Sequence, residues 1–111
     1  MDRSIAFYDA VFGALGAVRE VTSSTWTRYG RPGERTKVCL TIPFDQRSAS
    51  GGNGTMLAFE AHDYAAVDAF YAAALALGGT DEGLPGIREG THYVAYARDP
   101  DGNKLCAFTP K

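Results

Sequence analysis

The sequence contains an internal repeat, and this repeat restricts the possible folds more than any other feature of the chain. The tripeptide Ala-Phe-Tyr occurs at residues 6–8 and again at residues 69–71, and a Leu-Gly pair follows each copy. Apolar residues recur at three- and four-residue intervals around both copies, which predicts amphipathic helices over residues 3–15 and 64–77. The chain therefore reads as two copies of one unit, each with a helix followed by strands.

Residues at the ends of the two helices support these bounds. Asp2 or Ser4 is a suitable N-cap for the first helix, and Asp63 is a suitable N-cap for the second. Gly16 and Gly78 follow the last apolar residues and predict where the helices end.

Short runs rich in β-branched and aromatic residues predict the strands. Val38, Leu40 and Ile42 alternate with polar residues, which is typical of a strand with one buried face. The predicted strands cover residues 17–22, 25–29, 37–44, 55–61, 91–98 and 103–109, and the glycine- and proline-rich residues 81–90 are predicted to form a loop or an irregular edge strand.

The last two strands are predicted to form an antiparallel hairpin around a turn at residues 99–102, whose sequence is Asp-Pro-Asp-Gly. With a four-residue turn, Arg98 faces Asn103 across the hairpin. One face then carries Tyr93, Ala95, Cys106 and Phe108, and the opposite face carries Val94, Tyr96, Leu105 and Ala107. Both faces are largely apolar, so we expect a helix to cover one face and a ligand cavity to adjoin the other.

The composition restricts the class of protein. A chain of 111 residues with 45% hydrophobic and 22% charged residues is typical of one globular domain. A formal net charge of −2 with scattered Lys and Arg gives no basic surface for nucleic acid, and no apolar run is long enough to span a membrane. Cys39 and Cys106 lie far apart in a chain that opens without a signal peptide, which favours free thiols and a cytoplasmic protein.

We divide this single domain into module one at residues 1–47, a linker rich in Gly and Ser at residues 48–54, and module two at residues 55–111. Module two has a strand before its helix, whereas the equivalent strand of module one would precede Met1 and is missing. The missing strand would leave an unpaired sheet edge that a second copy of the chain could cover, so a homodimer is expected. Alternatively, residues upstream of Met1 supply this strand.

Three segments together carry a family resemblance: Asp-Arg-Ser-Ile-Ala-Phe-Tyr at residues 2–8, Gly-Thr-Met-Leu-Ala-Phe at residues 54–59, and Asp-Pro-Asp-Gly-Asn-Lys-Leu at residues 99–105. In these segments the chain resembles the vicinal oxygen chelate superfamily, which contains glyoxalase I, bleomycin-resistance proteins and ring-cleaving dioxygenases. Residues 67–71, 78–81 and 84–88 resemble a glyoxalase-like group of bacterial proteins within it. The resemblance implies an α+β fold in which two βαβββ modules form an open, curled mixed sheet around a cavity, with the first strand of module one missing.

The resemblance also implies where a metal would be held. Enzymes of the superfamily usually bind a divalent metal with His and Glu side chains of the strands, and the matching positions here carry Cys39, Met56 and Cys106. Hard divalent cations prefer oxygen and nitrogen ligands, so we expect no metal and no other cofactor. Cys39 and Cys106 facing each other across the cavity would suit zinc or a redox pair. Structural zinc usually has about four ligands, however, which favours two small apolar fillers.

Seven side chains are candidates for lining the cavity, although they could equally fill the core: Trp26, Tyr29, Cys39, Met56, Tyr93, Cys106 and Phe108. Aromatic walls suit a planar or apolar ligand. Glu60 and His92 are the candidates for acid–base catalysis, with an exposed strand carboxylate and a surface imidazole as the simpler interpretations. His62 directly precedes Asp63 and is expected to be a surface or capping residue.

These features favour a protein that binds a small organic ligand in its cavity without a metal, as the resemblance to the bleomycin-resistance branch implies. The alternative is a lactoylglutathione-lyase-like, isomerase or dioxygenase-like enzyme of the same superfamily that uses a metal or an acid–base residue. A purely structural or interaction module is a third interpretation. A carboxylate or an imidazole at the metal-ligand positions would favour the enzyme, and the sequence has neither there.

Overall fold

Two helices and seven strands account for most of the chain in the computed structural model, which describes all residues 1–111. The helices are α1 (Asp2–Ala14) and α2 (Tyr64–Ala76), and the strands are β1 (Val18–Thr22), β2 (Trp26–Gly30), β3 (Lys37–Thr41), β4 (Leu57–Glu60), β5 (Thr80–Arg88), β6 (His92–Arg98) and β7 (Lys104–Pro110). Both predicted helices are confirmed, and residues 81–90 contribute to a strand at the edge of a sheet. Neither helix is long and apolar enough to cross a membrane.

The strands form two separate sheets. The first sheet has the order β1-β2-β3 and is antiparallel throughout. The second sheet has the order β4-β7-β6-β5 and is mixed, because β4 runs parallel to β7 while the other pairs are antiparallel. Neither sheet closes on itself, so the predicted α+β class with open sheets is confirmed.

The repeated tripeptide places one phenylalanine of each helix at the centre of a single core. Phe7 of α1 and Phe70 of α2 are both completely buried. Ala95, Ala97, Leu105 and Ala107 of the second sheet are completely buried in the same cluster. Burial of a phenylalanine side chain stabilises a fold by about 1.5–3 kcal/mol, so the two repeats hold the helices against the sheets.

The register of the final hairpin differs from the prediction by one residue. Arg98 pairs with Lys104 rather than with Asn103, so the loop comprises the five residues 99–103. The cause is the Asp99 carboxylate, because its Oδ1 atom accepts 2.9 Å hydrogen bonds from the backbone N–H groups of Asp101 and Asn103 and thereby widens the turn.

A shift of one residue exchanges the two faces of a strand. The face that packs against the helices carries Ala95, Ala97, Leu105 and Ala107, together with the partly buried Tyr93. The helix-free face carries His92, Val94, Tyr96, Cys106 and Phe108. The prediction that Tyr93 and Ala95 share a face with Cys106 is therefore wrong, and so is the grouping of Val94 with Leu105.

The predicted helix ends are confirmed except at the start of α1. Asp63 caps α2, and its side chain accepts a 2.8 Å hydrogen bond from the Ala66 backbone N–H. The N-cap of α1 is Met1, which makes no side-chain cap bond, so neither Asp2 nor Ser4 has the predicted role. The Ser4 hydroxyl instead donates to the Asp101 carboxylate, which draws it away from the helix backbone.

Candidate ligand-binding site

The helix-free face of the second sheet is the best candidate for a binding site. It lines an open cavity of ≈ 530 Å³, and we call its side chains the binding face: Arg88, Glu89, Thr91, His92, Val94, Tyr96, Cys106 and Phe108. Val94 and Cys106 are only 6% and 4% exposed, whereas Tyr96 and Phe108 are half-buried. The cavity therefore has a closed apolar floor between aromatic side chains, which suits an organic ligand.

His92 and Phe108 form one end of the binding face. Their rings meet edge to face, with the ring centroids 5.9 Å apart. The His92 Nδ1 atom lies 3.0 Å from the Thr91 hydroxyl, so the imidazole is already engaged at one nitrogen. The other ring nitrogen has no hydrogen-bond partner within the protein.

Cys106 behaves as a small apolar residue. Burial raises the pKa of its thiol, an effect that the charge of Lys104 and a backbone hydrogen bond from Phe59 partly offset. A buried thiol with a raised pKa is neutral at physiological pH, and a neutral thiol is neither a good nucleophile nor a good metal ligand. This environment agrees with the interpretation of Cys106 as a filler.

A long gap separates the two sheets, because β3 and β4 each have a partner on one side only. We call this gap the edge slot. It contains one cavity of ≈ 240 Å³ beside Phe12 and Leu15 of α1 and another of ≈ 330 Å³ beside Tyr8, and Val38 of β3 lines both. The edge slot has the position expected for the missing strand, between the last strand of module one and the first strand of module two.

The three positions that match metal ligands do not meet. Cys39 and Met56 line the same cavity of the edge slot, whereas Cys106 lines the binding face. The expectation that all three surround one cavity is wrong, because β4 lies between the edge slot and β7, the strand that carries Cys106. Both cysteines are free thiols.

No group of three or more His, Cys, Asp or Glu side chains is placed to hold a metal ion. The matching positions offer sulfur from two thiols and a thioether, which is a poor donor set for Mg²⁺ or Mn²⁺. The residues present therefore do not fit the divalent metal of the resembled enzymes.

The predicted aromatic lining is divided between the two sides of the sheets. Tyr29 is buried under α1, where its hydroxyl donates a 2.8 Å hydrogen bond to Asp9, and burial is the main reason that its pKa is raised. Tyr93 stacks on Tyr64 with the centroids 4.1 Å apart. Its hydroxyl donates to Asp68 at 2.6 Å, a bond that raises the pKa of Tyr93. Tyr29 therefore bonds β2 to α1, and Tyr93 bonds β6 to α2.

Trp26, the remaining predicted aromatic residue of the first sheet, is half-buried and pairs with Thr41 of β3. It alternates with Thr27, which is completely buried, and so it lies on the opposite face of β2 from Thr27 and Tyr29. Trp26 therefore belongs to the helix-free face of the first sheet, across the edge slot from the binding face.

The two acid–base candidates lie in different cavities. Glu60 lines a cavity of the edge slot together with Arg31, whose guanidinium donates to the Glu60 backbone carbonyl. His92 belongs to the binding face. His62 is exposed just before α2, in agreement with its predicted surface position. Glu60 and His92 are therefore not arranged as a catalytic pair.

Two basic residues of this region did not emerge from the sequence. The Arg88 guanidinium carbon lies 5.8 Å, and the Lys104 ammonium nitrogen 5.4 Å, from the centroid of the Tyr96 ring. Lys104 could have been found from its alternation with Cys106 on one strand. Arg88 could not, because it belongs to the irregular residues 81–90, where the pattern does not define a face.

Comparison with known proteins agrees with the fold. The model of the Glyoxalase/Bleomycin resistance protein/Dioxygenase superfamily matches residues 1–107. A glyoxalase/bleomycin resistance protein from Albidiferax ferrireducens T118 is 41% identical, with a TM-score of 0.88 over 97% of this chain and 88% of that chain.

More distant structures share the fold alone. A glyoxalase/bleomycin resistance protein/dioxygenase family enzyme from Burkholderia phytofirmans PsJN is 22% identical, with a TM-score of 0.73 over 96% of this chain and 87% of that chain. The fosfomycin resistance protein FosX from Mesorhizobium loti is 19% identical, with a TM-score of 0.69 over 99% of this chain and 82% of that chain. No match was found among the curated proteins.

Proposed function

Because the chain belongs to the glyoxalase/bleomycin resistance protein/dioxygenase superfamily, we propose that it binds a small organic ligand on the binding face without a metal ion. The observation that carries this proposal is the closed apolar floor of Val94 and Cys106 between the half-buried aromatic rings of Tyr96 and Phe108. Aromatic walls favour a flat, partly apolar molecule, because stacked rings gain more than their buried area alone provides.

The neutral fluorescent probe N-phenylnaphthylamine tests the binding site. We expect the wild-type protein to bind the probe. The Phe108→Ala variant should bind it about tenfold more weakly, because the substitution removes a large part of one aromatic contact. Phe44→Ala is the matched control, because Phe44 is fully exposed after β3 of the first sheet and does not line the binding face. Circular dichroism melting checks that both variants fold.

His92→Ala provides a second test if Phe108→Ala proves unstable, because His92 is exposed and contacts Phe108. We expect a smaller loss of affinity than for Phe108→Ala. The proposal is overturned if the wild-type protein does not bind the probe, or if the binding-face variants and Phe44→Ala bind it equally well.

The metal-free part of the proposal is supported by the donor set described above. Elemental analysis of the purified protein should find substoichiometric Mg, Mn, Fe, Ni and Zn. One metal ion per chain that survives dialysis against a chelator would contradict it and would favour the enzyme interpretation. Glu60 and His92 give that interpretation little support, because they line different cavities.

We further propose a homodimer in which a second copy covers the edge slot. The exposed edges of β3 and β4 have free hydrogen-bonding groups, and large apolar side chains are exposed around them: Met1, Ile42, Met56 and Leu57. Unpaired edges flanked by exposed apolar residues favour association with another chain.

Light scattering after gel filtration tests the homodimer. We expect the mass of two chains for the wild-type protein and a shift toward one chain for Leu57→Lys, which places a charge beside the edge slot. Leu84→Lys is the control, because Leu84 is exposed on β5, at the far side of the second sheet. A mass of one chain at all concentrations would exclude the dimer.

A cytoplasmic location completes the proposal. Cys39 and Cys106 are free thiols, and Cys39 is exposed. Free thiols persist in reducing compartments, whereas secreted proteins usually pair them. Fractionation of cells that produce the protein tests this, and recovery outside the cytoplasm would contradict it.

A further inference from the structure

We propose that the ligand of the binding face is an organic anion, whose negative group is bound by Arg88 and Lys104 beside the Tyr96 ring. This inference rests on the proposed function, because Arg88 and Tyr96 line the cavity of the binding face. Lys104 lines a cavity of the edge slot and approaches the same Tyr96 ring from there. The inference adds the chemical class of the ligand: a flat, partly apolar molecule with a carboxylate, sulfonate or phosphonate group.

The first observation is that two cations approach one aromatic ring. The Arg88 guanidinium carbon is 5.8 Å and the Lys104 nitrogen 5.4 Å from the Tyr96 centroid. Neither residue takes part in any of the six ion pairs of the structure. An anion seated beside the ring would therefore be attracted by two positive charges that no protein carboxylate neutralises.

The second observation is that the backbone of β5 leaves room for the guanidinium. A Cβ atom added at Gly86 would lie 2.9 Å from the Nη1 atom of Arg88. A Cβ atom added at Gly83 would lie 2.8 Å from the Tyr96 ring and 3.3 Å from the Nη2 atom of Arg88. Both glycines therefore let the arginine and the ring pack closely over the strand.

The third observation is how Arg88 is held in place. Its Nη2 atom donates a 2.6 Å hydrogen bond to the Leu84 backbone carbonyl. A neutral carbonyl orients the guanidinium without cancelling its charge, and the remaining N–H groups keep the planar fork that binds carboxylates and related anions. Arg88 is thus oriented, charged and available.

The nearby acidic side chains do not cancel this positive charge. Glu82 forms an ion pair with Arg98 at 2.7 Å. Asp81 keeps its charge but lies on the helix-packed side of the sheet, because it pairs with Ala97 and hydrogen-bonds the Tyr71 side chain of α2. Glu89 is the acidic member of the binding face and makes no ion pair with Arg88 or Lys104. The net charge of the side chains around Tyr96 is therefore positive, although the whole chain has a formal net charge of −2.

Two probes with the same ring system distinguish the contribution of the ligand's negative charge to binding from that of its shape. Anilinonaphthalenesulfonate carries a sulfonate, and N-phenylnaphthylamine has the same rings without it. We expect the wild-type protein to bind the anionic probe about tenfold more tightly than the neutral one, as for one hydrogen bond to a charged group. Added salt should weaken the binding of the anionic probe only.

Arg88→Gln and Lys104→Gln should each weaken the binding of the anionic probe three- to tenfold and leave the neutral probe unaffected. The matched controls are Arg35→Gln and Arg47→Gln, because both residues are exposed, neither forms an ion pair and neither lines the binding face. These controls should bind both probes as the wild-type protein does.

The outcomes separate this inference from the proposed function. If the neutral probe binds and the anionic probe binds no more tightly, the anion site is overturned while the ligand cavity stands. The same conclusion follows if all four variants bind the anionic probe as the wild type does. If neither probe binds, the proposed function fails and the anion site fails with it.

Discussion

The Tyr8 hydroxyl donates a 2.5 Å hydrogen bond to the carboxylate of Asp99, in a buried contact that joins the first helix to the turn of the last hairpin. The same carboxylate also accepts hydrogen bonds from the backbone N–H groups of Asp101 and Asn103 and from the Asn103 side chain. One acidic residue thus widens the turn, sets the register of the hairpin and joins α1 to the turn between β6 and β7.

Tyr8→Phe should lower the free energy of unfolding by about 2 kcal/mol, the contribution of a buried hydrogen bond to a charged group. The substitution keeps the aromatic contacts of the ring with Phe7 and Phe12. Urea unfolding followed by circular dichroism measures the difference. Tyr64→Phe is the control and should change the stability by less than about 0.5 kcal/mol, since Tyr64 is 41% exposed and its hydroxyl makes no hydrogen bond within the protein. Equal stability of Tyr8→Phe and the wild type would contradict the assigned role.

The same contact predicts a loss of stability at high pH. Burial, followed by the hydrogen bond to Asp99, raises the pKa of Tyr8 well above its ordinary value of about 10. A group with a higher pKa in the folded chain contributes its full stabilisation below the unfolded pKa and loses it as the pH rises toward the folded pKa. Above about pH 10 the wild-type protein should therefore lose stability relative to Tyr8→Phe, by up to ~1.4 kcal/mol per pH unit. Urea unfolding at several pH values tests this, and parallel curves for the two proteins would contradict it.

The role of Asp99 also explains which part of the fold the sequence could predict. Helical spacing and the repeated Ala-Phe-Tyr located both helices, because each places a phenylalanine in the core. The Asp-Pro-Asp-Gly motif located the hairpin correctly. It did not fix the loop length, since that depends on the hydrogen bonds of the Asp99 side chain, and a difference of one residue reversed the two faces.

Asp63→Ala should destabilise the protein by about 1 kcal/mol, because the Asp63 side chain accepts the hydrogen bond of the Ala66 N–H at the start of α2. Asp45→Ala is the matched control. Asp45 also accepts a backbone hydrogen bond, from Arg47, but it lies in an exposed segment outside any helix. Urea unfolding measures the free energy of unfolding of both variants. If Asp45→Ala loses as much stability as Asp63→Ala, the helix cap contributes no more than an ordinary hydrogen bond in a loop.

The candidate site was less predictable than the fold. Cys106 was expected beside a cavity because of the family resemblance and Phe108 because of its position on the last strand, and both line the cavity of the binding face. The separation of Cys39 from Cys106 could not be foreseen, because it depends on how the two sheets lie on either side of the edge slot. The approach of Arg88 and Lys104 to Tyr96 joins three strands, which no local pattern describes.

The two cysteines should react at very different rates with Ellman's reagent. Cys39 is exposed, whereas Cys106 is buried and burial raises its pKa, so its thiolate is both scarce and inaccessible. We expect one rapid equivalent per chain and a second that is at least roughly tenfold slower. Cys39→Ser should remove the rapid phase and Cys106→Ser the slow one. A single rapid phase with two equivalents would show that the binding-face floor is open.

Gly86→Ala should weaken the binding of anilinonaphthalenesulfonate about three- to tenfold while the melting temperature changes little. The added methyl group would lie 2.9 Å from the Nη1 atom of Arg88, and the arginine can avoid it by moving its flexible end away from Tyr96. Gly83→Ala should be more destabilising, because its methyl group would lie 2.8 Å from the Tyr96 ring itself. Gly13→Ala is the control, since nothing lies within 4 Å of its added Cβ atom. Fluorescence titration and thermal melting of the three variants separate the two effects. If Gly86→Ala binds the anionic probe as tightly as the wild type does, the position of Arg88 beside the Tyr96 ring does not contribute to anion binding.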